Sequence, residues 1–140
     1  MKLMAKRILF VCFFIGFAAA AQGVFAATLN VSPSTGTFEV NDTFTVSIFL
    51  NTQDQPVNMV DVVLFFPPNI LQLVSPTTGK SIISVWTAQP KYDNQIGEVR
   101  MQGGIPGGIN TSNGLVTTLT FRAKAMGTVP VRFSDESRVL

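Results

Sequence analysis

The 140-residue sequence contains no histidine, and its one cysteine, Cys12, stands in an apolar N-terminal stretch. The first absence removes the commonest general base and the commonest metal ligand together. The second leaves everything after that stretch without disulfide or thiol chemistry. Serine and threonine are frequent, yet no base partner and no Gly-x-Ser-x-Gly turn accompanies them. No Asp-x-Asp-x-Asp-Gly loop is present to hold calcium. The eight carboxylates leave a glycosidase pair arithmetically open, but no insertion looks able to build a cleft around two of them. Neither an enzyme nor a resident metal or cofactor is expected.

What is present at the N-terminus is an export signal. Lys2, Lys6 and Arg7 precede the apolar residues 8–17, and small residues lead to Val24-Phe25-Ala26. A charged start, an apolar middle and a small-residue end are the parts of a secretory leader. The expected cut follows Ala26, which makes 1–26 the leader and 27–140 the exported domain. Gln22 and Gly23 interrupt the apolar block, which argues against a membrane anchor there. Phe10-Val11 before Cys12 do not form the small-residue signal for lipid attachment. Three of the ten basic residues lie in the leader and none of the eight acidic ones do, so the domain holds seven against eight. Its net charge of −1 gives no reason to expect a nucleic-acid partner or binding to an anionic membrane. The mature chain is expected to be extracellular, with no membrane span.

Beyond Ala26 the apolar residues alternate rather than repeat at helical spacing. In Thr43–Asn51, Phe44, Val46, Ile48 and Leu50 share one face, with Thr43, Thr45, Ser47 and Asn51 on the other. Residues 115–125 repeat this with Leu115, Leu119, Phe121 and Ala123 inward, and residues 128–134 with Val129, Val131 and Phe133. Turn-forming clusters separate the runs. Strands are predicted at 28–32, 43–51, 58–66, 70–75, 90–94, 96–103, 114–125 and 128–134, with a helical turn at 81–86. Short, evenly spaced strands make an all-β fold, a two-sheet sandwich. Pro130 cannot donate to a ladder, so 128–134 belongs at a sheet edge or turns its Pro130 position away from the neighbouring strand. Asn41-Asp42-Thr43 and Asn110-Thr111-Ser112 fit the glycosylation acceptor pattern, but turn chemistry accounts for both.

One run does not fit plain alternation. In Val57–Phe65, Val60, Val62 and Leu64, with Phe66 after them, face one way, and Met59, Asp61, Val63 and Phe65 the other. A single carboxylate therefore sits in an outward apolar stripe. Asp61 either pairs with a basic residue on a neighbouring strand, with Val63 and Phe65 covered by a loop, or anchors a protein-recognition face.

The residues around Asp61 resemble a known family. Asn58-x-x-Asp61, alternating apolar residues and Pro68-Asn69-x-Leu71 are similar to the third and fourth strands of cohesin domains. Those domains are the scaffold modules that hold dockerin-bearing enzymes in polysaccharide-degrading complexes. Leu29-x-Val31-x-Pro33-x-x-Gly36 and Val40-x-Asp42-x-Phe44-x-Val46 resemble the family's start. Gly97-x-x-Arg100-Met101-x-Gly103-Gly104-x-Pro106 resembles its middle, and Gly114-x-x-x-x-Leu119-x-Phe121-x-Ala123-Lys124-x-x-Gly127 its penultimate hairpin.

The resemblance implies a nine-stranded jelly roll whose flat face, built from the third, fifth, sixth and eighth strands, receives a dockerin. Asp61 falls on the family's acidic contact position, and Met59, Val63, Phe65, Glu98, Arg100 and Gln102 share its face. Calcium would belong to the dockerin. Met59 and Gly103-Gly104 depart from the family's usual contact residues. The ninth strand of the pattern would lie beyond Leu140 and pair beside the first, so the last strand is expected to be missing. The same sandwich class includes carbohydrate-binding modules, which present several coplanar rings. Here Trp86 and Tyr92 would have to supply that platform for a polysaccharide, and a lone Trp more often closes a core.

Overall fold

The computed structural model describes residues 26–140, so the expected leader lies outside the described residues except for Ala26. Eleven strands are formed among the described residues, and no helix. They are β1 (Thr28–Ser32), β2 (Thr35–Phe38), β3 (Thr43–Asn51), β4 (Val57–Phe65), β5 (Leu71–Thr77), β6 (Val85–Asp93), β7 (Glu98–Ile109), β8 (Gly114–Ala123), β9 (Gly127–Pro130), β10 (Arg132–Phe133) and β11 (Arg138–Val139). One sheet has the order β1-β3-β8-β5 and the other β10-β4-β7-β6, with β11 also on β4. β2 and β9 form a separate ribbon. All the paired strands run antiparallel.

Alternation explains the sandwich. Val46, Ile48 and Leu50 of β3 meet Val60, Val62 and Leu64 of β4 in one buried cluster that also takes Val99, Met101, Leu119 and Phe121. Phe121 sits at its centre, with ring centroids 5.8 Å from Phe44 and 5.1 Å from Phe66, the second edge-on. Burying a Phe of this kind removes a large apolar area from water, which stabilises a core that has no disulfide. Buried polar side chains are satisfied: Thr52 Oγ1 donates to Asn110 Oδ1 at 2.8 Å and Thr117 Oγ1 to the Thr77 carbonyl at 3.0 Å.

Four local expectations are corrected. The residues at 81–86 form no helical turn; Ser81–Ser84 cross the end of the sandwich and Val85-Trp86 already belong to β6. In β8 the buried residue is Val116, not Leu115, because a bulge between the Ile48–Thr117 and Phe49–Leu115 pairs shifts the alternation by one. The sixth predicted strand does not end at residue 103; β7 continues through the glycines to Ile109. The run 128–134 is two strands, β9 on β2 and β10 on β4, with the break at Pro130-Val131. Proline lacks the N–H that an uninterrupted ladder needs, so the chain changes sheets there.

β10 does stand at a sheet margin, as the proline argument allows. Beyond it the chain loops out and rejoins the same edge of β4 in the same direction: Arg138 lies opposite Asp61 and Val139 opposite Val60. Leu140 and Met59 exchange backbone hydrogen bonds of 3.0 and 2.9 Å. On the far side of the sandwich, β1 pairs with β3 alone among the described residues. The β5 margin is protected differently. Asn94 clamps the Leu73 backbone, accepting from its N–H at 2.7 Å and donating to its carbonyl at 3.0 Å. Asn41 adopts φ 73° in the turn before β3, and Asp42 Oδ2 reaches back across that turn to accept from the Glu39 N–H at 2.9 Å.

Candidate partner-binding face

The outer face of the β10-β4-β7-β6 sheet is organised in rows, one residue from each strand. In the middle row Arg138, Asp61, Gln102 and Ala88 follow one another from β11 to β6. The next rows on one side are Val63, Arg100 and Lys91, then Arg132, Phe65, Glu98 and Asp93. On the other side lie Met59, Gly104 and Val85. Antiparallel register therefore gathers Asp61, Met59, Phe65, Glu98, Arg100 and Gln102 onto one surface, from strands about forty residues apart in sequence.

Asp61 has a neutral partner. Gln102 Nε2 donates to Asp61 Oδ2 at 3.3 Å, and Thr87 Oγ1 donates to Gln102 Oε1 at 3.1 Å. The carboxylate only accepts, so it takes the N–H end of the amide, and Thr87 Oγ1, also 3.2 Å from the Gln102 backbone carbonyl, meets the other end; Asp61 keeps lone pairs to spare. Arg138 is its direct neighbour across the other side, yet no ion pair joins them; the described ion pairs run from Arg100 to Glu98 and Glu136. The expected pairing of Asp61 with a neighbouring basic residue is thus replaced by a hydrogen bond to an amide.

Arg100 is occupied within the molecule. It meets Glu98 through Nε at 2.6 Å and Nη2 at 3.1 Å, and Glu136 through Nη1 at 3.1 Å. The Glu98 hydrogen bond raises its pKa above the usual value, with the charges of Glu98 and Glu136 adding to the effect and desolvation opposing it.

Val63 is the correction on this face. It points outward as alternation requires, but it is only 3 % exposed and cannot be a contact residue. The turn after β10 covers it. Ser137 Oγ lies 3.0 Å from the Val63 N–H and 2.9 Å from the Val63 carbonyl, and the Ser134 N–H donates to that same carbonyl at 2.8 Å. Phe65, two residues on, remains 43 % exposed.

Trp86 and Tyr92 are not displayed beside these groups. Trp86 lies opposite Gly103 and Tyr92 opposite Val99, both inward positions of β7. Trp86 packs on the core cluster, while the Tyr92 hydroxyl donates to the Val74 carbonyl at 3.2 Å, reaching a residue that bulges out of the β5–β8 ladder. Trp86 is thus committed to the core, while Tyr92 stays 42 % exposed with its hydroxyl tied to β5.

Sequence reasoning missed Thr87, Glu136 and Ser137. A threonine in an exposed strand and a Glu-Ser pair after an edge strand carry no signal, because only register brings them to Gln102, Arg100 and Val63. It marked Gly103-Gly104 as a departure from the family's contact residues, but not the gap that Gly104 leaves in the outer face. No cluster of three or more potential metal ligands occurs among the described residues, and no described helix could cross a membrane.

No family model matches the chain, and no curated protein matches its sequence. Solved structures do match. The sixth cohesin of scaffoldin B from Acetivibrio cellulolyticus, crystallised with a Cel5 dockerin mutant, superposes with a TM-score of 0.63 at 13% identity, over 81% of this chain and 85% of that one. A type II cohesin domain from the cellulosome of the same organism gives 0.60 at 15% identity, over 79% and 74%. The seventh ScaB type I cohesin from Pseudobacteroides cellulosolvens gives 0.58 at 20% identity, over 76% and 73%. The fold is that of cohesin domains, as the ordered sequence pieces imply.

Proposed function

We propose that the protein is a secreted, non-catalytic adaptor that binds a dockerin-bearing partner through the outer face of β4, β7 and β6. The observation that carries this reading is Asp61, a carboxylate at the middle of a flat sheet, oriented by Gln102 and left without a cation. An oriented acceptor of that kind matches hydrogen-bond donors on a partner's surface, and charge-assisted bonds to it are stronger than neutral ones. The cohesin structures solved with dockerins support the class of partner. Met59 and Gln102 adjoin the anchor, and the Glu98–Arg100–Glu136 group forms a charged rim with Phe65 beyond it. Calcium would be carried by the dockerin, and a role in polysaccharide degradation or at the cell surface would follow from what that partner bears.

The test is calorimetric titration with calcium-loaded dockerin modules selected from a displayed panel. Binding by the wild-type chain that Asp61→Ala weakens supports the proposal. Absence of binding across the panel would overturn it.

A further inference from the structure

Beside the Asp61 row, the outer face carries an open groove of about 510 Å³. Its floor is Gly104, and its walls are Pro56 and Asn58 at the start of β4, Val85 at the start of β6, and Ile105 and Pro106 on β7. The groove comes from a wide irregularity in the β4–β7 ladder. Between the Met59–Gly104 and Val57–Ile109 pairs, β4 advances two residues and β7 five; Ile105 stays in the core and the surplus at Pro106–Gly108 stands out from the ladder. Gly107 and Gly108, at φ 84° and 71°, supply the left-handed backbone for that bulge.

The two adjacent glycines differ in a way that separates packing from an open site. A Cβ on Gly103 would stand 2.2 Å from Ile83 Cγ2 and 2.9 Å from the Val85 carbonyl oxygen, so the core excludes any side chain there. A Cβ on Gly104 would meet nothing nearer than the Asn58 carbonyl oxygen at 3.7 Å, and its φ is not in the left-handed range. Nothing inside the molecule requires Gly104 to lack a side chain, and the lack leaves the sheet open to an approaching group.

We infer that this groove receives an aliphatic side chain from the same partner helix whose donor reaches Asp61, an inference that rests on the proposed function. None of the lining residues is ionisable, and Val85 stands 50 % exposed at the wall, so the floor suits a neutral, apolar group. Asp61 and Met59 are two residues apart on β4, as are Gln102 and Gly104 on β7, a step of roughly 6.6–6.8 Å. A helix rises about 6 Å over four residues and presents residues i and i+4 on one face. A helix lying along the strands therefore places an aliphatic residue over Gly104 and a Lys, Arg, Ser or Asn over Asp61 one turn away.

The experiment uses the dockerin module selected by the wild-type chain. Gly104→Val fills the floor with a residue that strands favour, and Val85→Lys puts a charge on the wall at an exposed position. Each is expected to weaken binding at least tenfold while thermal unfolding stays at or above the wild-type midpoint, and Arg122→Ala, exposed on β8 of the other sheet, is expected to bind normally. If Gly104→Val fails to fold, Val85→Lys decides alone. Wild-type binding that both groove variants retain within twofold overturns the groove and leaves the adaptor reading standing. A wild-type chain that binds no dockerin overturns both. Groove variants that lose retention on an insoluble polysaccharide instead overturn the assignment of a helical occupant.

Discussion

Arg100 and Glu136 join across β4, their ion pair of 3.1 Å passing over the strand at Val63. Arg100 is the register partner of Val63 on one side, and the turn holding Glu136 is bonded to the Val63 backbone on the other. A side chain that alternation directs to solvent is buried by this crossing. The recognition surface is thereby divided: Asp61 and the Gly104 groove lie on one side of the bridge, Phe65 on the other.

The bridge itself contributes little to stability, because both partners are exposed and exposed pairs are screened. Glu136→Gln is expected to leave the thermal midpoint nearly unchanged. Ser137→Ala removes hydrogen bonds to a part-buried backbone and is expected to cost about 1–2 kcal/mol. Equal denaturation curves for Ser137→Ala and wild type would show that water replaces the hydroxyl without loss.

Asp61→Ala is expected to weaken dockerin binding by about 2–5 kcal/mol, the range for truncating a buried, hydrogen-bonded charge at an interface. Its own neutral hydrogen bond predicts almost no change in folding stability. Thr87→Val leaves the carboxylate in place but frees the Gln102 amide to turn, so a smaller loss of affinity should appear, again without unfolding. Calorimetry and thermal melts on the same samples separate the two effects.

Gly103→Val is expected to destabilise the fold by about 1–3 kcal/mol, since its side chain would have to displace Ile83 and the Val85 backbone. Phe121→Ala should cost more, about 3–5 kcal/mol, because it empties the centre of the aromatic cluster. Urea unfolding of the two variants would check the order.

The amides of Thr28–Ser32 are expected to exchange faster than those of Thr43–Asn51. β1 has one neighbour, whereas β3 has β1 and β8. Hydrogen exchange read by NMR gives the comparison directly, and equal protection would mean that the β1 margin is covered in solution.

Retention on cellulose, chitin and xylan is expected to be absent, because Trp86 packs on the core and Tyr92 is tied to the Val74 carbonyl, which leaves no pair of rings on the outer face. Retention that disappears in Trp86→Ala would reverse this expectation and favour a glycan platform.

Much of the fold was legible in order along the chain because its signals are local. Period-two alternation marks a strand wherever one face is buried, and Val46, Ile48, Leu50, Val60, Val62 and Leu64 all fall where that pattern puts them. Pro130 marked a margin because a missing N–H has the same consequence in any sheet. Asp61 was conspicuous in sequence as a lone charge in an apolar stripe. Tertiary structure alone decided what surrounds it. Register put Arg138 on one side of it and Gln102 on the other, and only the amide bonds to it; the C-terminal turn after β10 buried Val63, and unequal advance of β4 and β7 opened the groove over Gly104. Each depends on which strands become neighbours and where a ladder slips, and alternation within one strand carries no information about either.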